Sequence, residues 1–205
     1  AEMASRVLSR RRLLPFTQRI NPRYLAGWVH EDICRRLEKF SEDVSKGLSP
    51  RLMILMPPRH GKSELGSRMF PAWHLGREPD HEIIACSYNV GLAMSFSRKV
   101  KEVMEDPAYQ SVFETRLNPN FQGAEEWGIE GKRGGYVAAG VGGGITGKGA
   151  HCLAAGTSVL TTDGAVNIEH LYLLKSKPLV QTPVGPRQIL AMTRREQPDD
   201  LYTLR

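Results

Sequence analysis

The feature that most constrains the fold is a change of pattern within the run Gly147-Lys-Gly-Ala-His-Cys-Leu-Ala-Ala-Gly-Thr157. Upstream of it, continuous apolar runs alternate with apolar residues at helical spacing. Downstream, short β-prone runs are separated by Gly and Pro, and they begin with a cysteine. We therefore predict two folding units that meet between His151 and Cys152.

The upstream pattern indicates a parallel α/β sheet, because strands and helices alternate along the chain. Helical spacing of Ile33, Leu37 and Val44 predicts the first helix, and Gly47 follows it as an end signal. The expected elements in chain order are a helix over 30–46, a buried strand over Arg51–Met56, a helix from Ser63 towards His74 that would kink at Pro71, a strand over His81–Ser87, a helix through Leu92–Val103 and a strand over Tyr136–Ala139.

The turn between the first strand and its helix contains Gly61-Lys62-Ser63, the end of the phosphate-loop pattern G-x-x-x-x-G-K-[ST]. Such a loop wraps backbone N–H groups around phosphates, with a lysine for charge and a hydroxyl for Mg²⁺. Met56 stands in place of the first glycine. A second run, Gly142–Gly149, also fits G-x-x-x-x-G-K, but Gly149 offers no hydroxyl, and we favour a glycine hinge or contact loop there.

Charge and cysteine content limit the possible functions. The net charge is +6, and the excess lies in residues 1–50. Residues 1–27 form a basic N-terminal arm that either holds a polyanion such as DNA or is a solvated, partly disordered leader. Three cysteines without metal-ligand spacing favour a reduced, cytoplasmic protein. No apolar run reaches the ~20 residues of a membrane span.

Four ordered motifs resemble the ATPase domain of a tailed-phage terminase large subunit, namely Trp28-Val-His30, Met56-Pro-Pro-Arg-His-Gly-Lys-Ser-Glu64, Ile84-Ala-Cys-Ser-Tyr-Asn89 and Gly140-Val-Gly-Gly-Gly-Ile-Thr-Gly-Lys-Gly-Ala-His151. The resemblance implies a RecA-like P-loop ATPase over residues 28–151 that drives double-stranded DNA into a procapsid. It also implies ATP and Mg²⁺ as cofactors, the portal and the small terminase subunit as partners, and the cytoplasm of a bacterial host as the location.

The same resemblance assigns roles within the loop formed by Pro58, Arg59, His60, Gly61, Lys62 and Ser63. Lys62 would hold the β- and γ-phosphates, Ser63 the Mg²⁺, and Arg59 would sense or stabilise the γ-phosphate. Trp28 and His30 would lie near the adenine. A core tryptophan and a helix-capping histidine are the alternative, since many members of the family have Gln in place of His30.

The chain departs from the terminase pattern after His151. In the family, an apolar strand ending in two carboxylates follows, and these carboxylates hold the Mg²⁺ shell and position water. Here Cys152-Leu-Ala-Ala-Gly-Thr157 takes its place. We expect the catalytic carboxylate and the C-terminal nuclease to be missing, so that the fragment binds ATP weakly and hydrolyses it poorly.

Residues 152–205 read as all-β material, unrelated to the preceding sheet. Thr157–Glu169 predicts a hairpin around an Asp-Gly turn, and further short strands follow near 179–185 and 188–193. The run Cys-Leu-Ala-x-Gly-Thr-x-Val-Leu-Thr-x-Asp-Gly resembles the first splicing block of an intein, whose domain has a Hint fold.

By that second resemblance, Cys152 would attack the carbonyl of His151, with Thr157, Asp163 and Gly164 as scaffold. A thiol beside a strained peptide bond can form a thioester in this way. The later splicing blocks are not present, so the segment would be the N-terminal part of an intein, either split or contiguous, with a C-terminal intein fragment as partner. Three hypotheses remain: an ATPase fragment carrying an intein part, a trans-splicing precursor with a passive ATPase half, and a basic DNA-binding fragment with an inactive nucleotide site.

Overall fold

The computed structural model describes residues 2–56, 60–87, 89–140 and 150, and the backbone of seven strands between Cys152 and Leu204. The chain divides into two compact units. The first comprises Ala1–Arg51 with Met56–Ala155, and the second comprises Leu52–Leu55 with Gly156–Arg205. The division therefore falls after Ala155, whereas the sequence pattern predicts it after His151.

The first unit is a mixed α/β structure. Its described elements in chain order are α1 (Glu2–Arg11), α2 (Leu13–Ile20), α3 (Trp28–Ser45), a π-helical segment (Glu64–Met69) that continues into α4 (Phe70–Arg77), β1 (Glu82–Ser87), α5 (Val90–Glu105), α6 (Pro107–Gln110), β2 (Leu117–Gln122), β3 (Glu126–Ile129), β4 (Gly135–Gly140) and β5 (Cys152–Ala155).

Two packed helices, α1 and α2, form the N-terminal segment. Leu13 and Phe16 have no exposed surface. The ring of Phe16 meets those of Tyr109 and Phe113 edge-on, at centroid distances of 6.0 and 5.8 Å. Burial of this apolar surface holds the segment on the unit. The expected separate arm is therefore not seen, and the alternative of a partly disordered leader is wrong for residues 2–27.

The guanidinium groups of this segment also bond within the first unit. Hydrogen bonds or ion pairs join Arg6 and Arg19 to the Glu2 carboxylate, Arg10 to the Val112 carbonyl and Arg12 to the Glu38 carboxylate. Glu38 is buried and also accepts the backbone N–H of Leu13 at 2.7 Å. The basic residues thus help to fix α1 and α2 against the rest of the unit.

The helix after the candidate phosphate loop begins at Lys62 and continues through α4. Its first part, Glu64–Met69, has the wider π-helical turn. Pro71 follows in the first turn of α4; it has no N–H, and its ring would clash with a carbonyl four residues earlier in a continuous α-helix. A wider turn ahead of it accommodates the ring. The predicted helix from Ser63 towards His74 is confirmed, and the kink expected at Pro71 stays a prediction.

Helix α4 lies at the centre of the helical layer. Its residues Phe70–Leu75 are all buried. The indole N–H of Trp73 donates to the carbonyl of Ser9 in α1 at 3.1 Å, and Nδ1 of His74 bonds to the hydroxyl of Ser41 in α3 at 2.8 Å. Two buried polar side chains of α4 therefore bond to both neighbouring helices, as buried polar groups generally require.

The five strands of the first unit form one sheet in the order β2-β3-β4-β1-β5. Strand β1 runs parallel to β4 on one side and to β5 on the other, and β2 and β3 are antiparallel additions beyond β4. Trp127 of β3 stacks on Tyr136 of β4 at 5.2 Å and donates its indole N–H to Ser97 of α5 at 2.9 Å. The predicted strand at 81–87, the helix after it and the strand at 136–139 are confirmed.

Two expectations about strands are wrong. Arg51–Met56 has no regular structure, although its apolar pattern predicts a buried strand. A strand needs a hydrogen-bonding neighbour, and both edges of β1 are taken by β4 and β5. Cys152–Ala155, expected to be unrelated to this sheet, pairs with β1, with Ile83 opposite Cys152.

The second unit contains short antiparallel strands. They are β6 (Ser158–Thr161), β7 (Gly164–Asn167), β8 (Leu179–Thr182), β9 (Gly185–Gln188), β10 (Met192–Arg194) and β11 (Tyr202–Leu204). A four-stranded sheet has the order β7-β6-β8-β9, and β10 pairs with β11. The predicted hairpin is confirmed as β6–β7, in which Thr161 lies opposite Gly164. Of the strand expected at 188–193, Gln188 lies in β9 and both Met192 and Thr193 lie in β10, while 189–191 lie outside the described residues.

Among the described residues, no helix is long and apolar enough to span a bilayer.

Replacing Phe16 by Ala tests whether α2 belongs to the core. We expect the free energy of unfolding of the first unit to fall by about 3–5 kcal/mol, because a fully buried ring is lost and a cavity remains. Urea unfolding followed by tryptophan fluorescence measures it, since Trp28, Trp73 and Trp127 all lie in the first unit. The control Leu25→Ala, at a position 90% exposed, should change stability by less than about 0.5 kcal/mol. Equal stability of both variants would contradict the packing of α2.

Candidate functional site

The candidate phosphate loop ends at the start of a helix. Gly61 has a φ of +83°, Lys62 and Ser63 begin the helix, and Ser63 is exposed while Lys62 is half-buried. The first backbone bond of the helix runs from the N–H of Leu65 to the carbonyl of Gly61 at 3.1 Å. N–H groups ahead of this bond are not used within the helix, and Ser63 makes no side-chain cap. A helix start after a glycine, where Ser63 adds no side-chain cap, is an arrangement that can bind anions.

His30 connects the start of α3 to this loop. Its Nδ1 accepts the backbone N–H of Gly27 at 3.0 Å, and its Nε2 lies 3.0 Å from the carbonyl oxygen of His60. Because a backbone N–H can only donate, Nδ1 must be the unprotonated nitrogen; Nε2 therefore carries the proton and donates it to His60. The helix-capping interpretation of His30 is confirmed, and the same ring holds the loop.

Tyr24 packs against His30 and lies close to Gly61 of the loop. Its ring meets the imidazole of His30 at 5.7 Å and 82°. A Cβ built on Gly61 would lie 3.2 Å from the Tyr24 hydroxyl and 3.3 Å from Nε2 of His30. That hydroxyl is buried and has no hydrogen-bond partner among the described residues. Burial, helped by the nearby Cys34 and Glu64, raises the pKa of Tyr24 to about 12. Both space and φ therefore restrict position 61 to glycine.

The first acidic residue of the helix does not cap the loop. The carboxylate of Glu64 pairs with the guanidinium of Arg68 one turn further on, at 2.9 Å, and each side chain is 28% exposed. The same guanidinium keeps its Nε buried without a partner among the described residues. The carboxylate of Glu64 is thus paired along the helix, with a group one turn further on.

Trp28 is the first residue of α3, and its side chain is 79% exposed. The alternative of a core tryptophan is therefore wrong. An exposed indole next to the helix start that holds the loop is available to stack on a planar ligand. Its proposed position near an adenine remains a prediction.

Several predicted site residues lie outside the described residues. Pro58 and Arg59 of the loop, His151 at the predicted scissile bond, Thr157 and Asp163 of the predicted splicing scaffold, and the second glycine-rich run at 142–149 belong to this group. Cys152 and Gly164 are described by their backbone alone, as the first residues of β5 and β7. The structure therefore brings together Gly61, Lys62, Ser63, His60 and His30, and their other predicted partners stay predictions.

The two other cysteines are poor nucleophiles. Burial, followed by the nearby Glu38 carboxylate, raises the pKa of the Cys34 thiol to about 12. Burial also raises the pKa of Cys86. A thiol reacts as its thiolate, so at neutral pH both are held in the unreactive form.

Other concave surfaces of the first unit lie away from the loop. A cleft of about 310 Å³ is lined by residues of α1, α2 and α3, among them Arg12, Cys34 and Glu38. A smaller one of about 140 Å³ lies along β3 and β4. Neither includes a loop residue. The described residues contain no group of three or more His, Cys, Asp or Glu that could hold a metal ion.

Comparison with known proteins identifies one similarity. Residues 53–154 match the family model described as terminase large subunit, T4likevirus-type, N-terminal. The match covers just under half of the 205-residue chain and extends from the apolar segment before the loop into β5. No curated protein and no solved structure matches the chain. The matched segment is thus similar to the N-terminal part of a terminase large subunit, in agreement with the terminase resemblance of the motifs.

Tyr24 is the site residue that sequence reasoning missed. It lies in the connection between α2 and α3, outside both the motif and the family match. A tyrosine in such a connection carries no periodic signal. The positive φ expected of a loop glycine could have directed attention to the residues that pack over it.

Replacing Gly61 by Ala tests the restriction at this position. We expect the first unit to lose about 1–2 kcal/mol of stability, because a left-handed conformation is unfavourable for Ala and its Cβ would press on Tyr24 and His30. The matched control is Gly66→Ala, where a Cβ meets nothing within 4 Å and helix propensity should add about 0.5–1 kcal/mol. Urea unfolding of both variants measures the difference. Changes of the same sign would contradict the assigned loop geometry.

Proposed function

We propose that the first unit is the ATP-binding part of a terminase large subunit, the ATPase of a DNA-packaging motor. The observation that carries this proposal is the Gly61-Lys62-Ser63 loop at an uncapped helix start, inside a segment that matches the terminase N-terminal family. Gly61 lets Tyr24 and His30 pack close to the loop, because a side chain at this position would meet both. These features suit a triphosphate and its Mg²⁺.

Each loop residue has a distinct part in this proposal. The ammonium group of Lys62 offsets the charge of the β- and γ-phosphates, and the hydroxyl of Ser63 holds Mg²⁺. Arg59, placed in the loop by sequence, contacts the γ-phosphate with its planar guanidinium. Trp28 offers its exposed indole to the base. ATP hydrolysis supplies the free energy that drives double-stranded DNA through the portal, with the small terminase subunit as a further partner, in the cytoplasm of a bacterial host.

Hydrolysis needs more than this loop. Strand β5 lies beside β1, but Gly156 and Thr157 follow it in the sequence, where the terminase pattern has a carboxylate pair. A hydroxyl or a glycine cannot replace a carboxylate that positions Mg²⁺ and water. We therefore propose that this chain binds ATP–Mg²⁺ and hydrolyses it poorly.

Replacing Lys62 by Ala tests the loop assignment. We expect the affinity for ATP–Mg²⁺ to fall about 10- to 100-fold, the equivalent of about 1.5–3 kcal/mol for charge-assisted bonds to phosphate. Isothermal titration calorimetry measures it. The control Lys132→Ala removes an exposed lysine in the turn between β3 and β4 and should leave the affinity unchanged. Equal binding by wild type and Lys62→Ala would show that another loop holds the phosphates.

A second candidate function is protein splicing by the segment that starts at Cys152. The observation that favours it is the separate antiparallel unit that begins after Ala155, with the β6–β7 hairpin first. The thiolate of Cys152 would attack the carbonyl carbon of His151. A C–S bond then forms, the C–N bond to Cys152 breaks, and the freed amine takes up a proton, which gives a thioester. A C-terminal intein fragment would supply the later steps.

Replacing Cys152 by Ala tests that chemistry. We expect dithiothreitol to release an N-terminal fragment ending at His151 from the wild-type chain and none from Cys152→Ala, as measured by intact mass spectrometry. The control Cys86→Ala removes a thiol whose raised pKa keeps it unreactive and should cleave like wild type. Cleavage that persists in Cys152→Ala, or wild type that shows no thiol-dependent cleavage, would contradict the assignment.

The third hypothesis, a DNA-binding fragment with an inactive nucleotide site, is less favoured. It depends on a free basic arm, and Arg6, Arg10, Arg12 and Arg19 bond to groups of the first unit instead. We keep DNA as a partner of the proposed motor, not as the ligand of a separate arm.

A further inference from the structure

We propose that Tyr24 is a positioning residue for the phosphate loop, acting through His30 and Gly61. This inference rests on the proposed nucleotide-binding function and adds to it a residue outside both the motif and the family match. We call the pair of Tyr24 and His30 the loop brace. Tyr24 touches the loop through its side chain, and in this proposal its hydroxyl makes no contact with the nucleotide.

The first step is the peptide bond between His60 and Gly61. His30 Nε2 donates to the His60 carbonyl at 3.0 Å, which fixes the direction of that carbonyl. A trans peptide is planar, so the N–H of Gly61 must point the opposite way. The imidazole of His30 therefore sets the direction of the Gly61 N–H group, before any ligand is present.

The second step is the orientation of the imidazole itself. One side is set by the Gly27 N–H, which bonds to Nδ1 at 3.0 Å. The ring of Tyr24 meets the imidazole edge-on at 5.7 Å, which limits rotation about the remaining side-chain torsion. An edge-to-face pair of this kind adds about 0.5–1.5 kcal/mol beyond simple burial. Without Tyr24, His30 keeps its hydrogen bond from the Gly27 N–H but loses the packing that orients Nε2 towards the His60 carbonyl.

The third step concerns the hydroxyl of Tyr24. It is buried, has no hydrogen-bond partner among the described residues, and lies 3.2 Å from the position of a Cβ at Gly61. A buried hydroxyl without a partner is unfavourable, so its presence here gives contact area against the loop and no stabilising bond. The aromatic ring and its edge-on contact with His30 are therefore what aligns the loop. Phe at position 24 should replace Tyr with little loss of ATP–Mg²⁺ affinity.

The test compares Tyr24→Ala with Tyr24→Phe. We expect the ATP–Mg²⁺ affinity of Tyr24→Ala to fall about tenfold, since Lys62 remains while the loop N–H groups lose their alignment. Tyr24→Phe should bind like wild type and be at least as stable. In the nucleotide-free state, the ¹H–¹⁵N NMR signal of Gly61 should shift in Tyr24→Ala and stay close to its wild-type position in Tyr24→Phe.

A double-variant comparison separates positioning from general stability. If Tyr24 acts through His30, adding Tyr24→Ala to His30→Ala should weaken ATP binding no further. His30→Gln, which keeps a donor and an acceptor on one side chain, should restore part of the affinity lost in His30→Ala. Additive losses in the double variant would overturn the inference. Equal losses in Tyr24→Phe and Tyr24→Ala would overturn it too, because the hydroxyl would then contact the ligand.

These measurements also distinguish failure of the brace from failure of the proposed function. If wild type and Lys62→Ala bind ATP alike, the nucleotide assignment fails, while the Gly61 signal still reports whether Tyr24 aligns the loop. If Lys62→Ala loses affinity but neither the Gly61 signal nor the affinity changes in Tyr24→Ala, the nucleotide assignment stands and the brace is wrong.

Discussion

The parallel pairing of β1 with two neighbours is the constraint on which the first unit depends. With β4 on one side and β5 on the other, the carboxyl ends of three parallel strands lie at the same edge of the sheet, where α/β proteins bind ligands. Helix α5 starts just beyond β1, and the helix that follows the candidate loop packs against α5. The sheet and α5 therefore support the helix that begins at the candidate loop, and the proposed loop brace would align the loop itself.

The sequence predicted those elements whose signal is local. The apolar positions of α3, α5, β1 and β4 have the right spacing, and Gly47, with a φ of +75°, ends α3 as its position suggests. Arg51–Met56 shows where prediction from a local pattern fails, because an apolar run becomes a strand only where a neighbouring strand has a free edge. Net charge did not predict the structure of residues 2–27. The burial of Leu13 and Phe16 places this segment on the first unit, although it contains many arginines. Lys62 and Ser63 could be predicted from a sequence motif. The role proposed for Tyr24 depends on contacts in space, which no residue spacing in the sequence indicates.

Strand β5 lies at the meeting point of the two predicted units. The family match ends at Ala154, the compact unit ends at Ala155, and the intein-like pattern begins at Cys152. The same four residues thus satisfy two patterns: an apolar strand beside β1, and the opening of an intein-like block. Under the proposed function, this overlap explains how a chain without the carboxylate pair can still build the sheet that supports a phosphate loop. Binding depends on residues before β5, and hydrolysis depends on what would follow it.

The overlap also has a consequence for the proposed splicing chemistry. Cys152 is the first residue of a four-residue ladder with β1, so the backbone next to the proposed scissile bond is held by the sheet of the first unit. Each backbone hydrogen bond contributes only about 0.5–1.5 kcal/mol net, and a ladder this short can therefore open without unfolding β1, which keeps β4 as its neighbour.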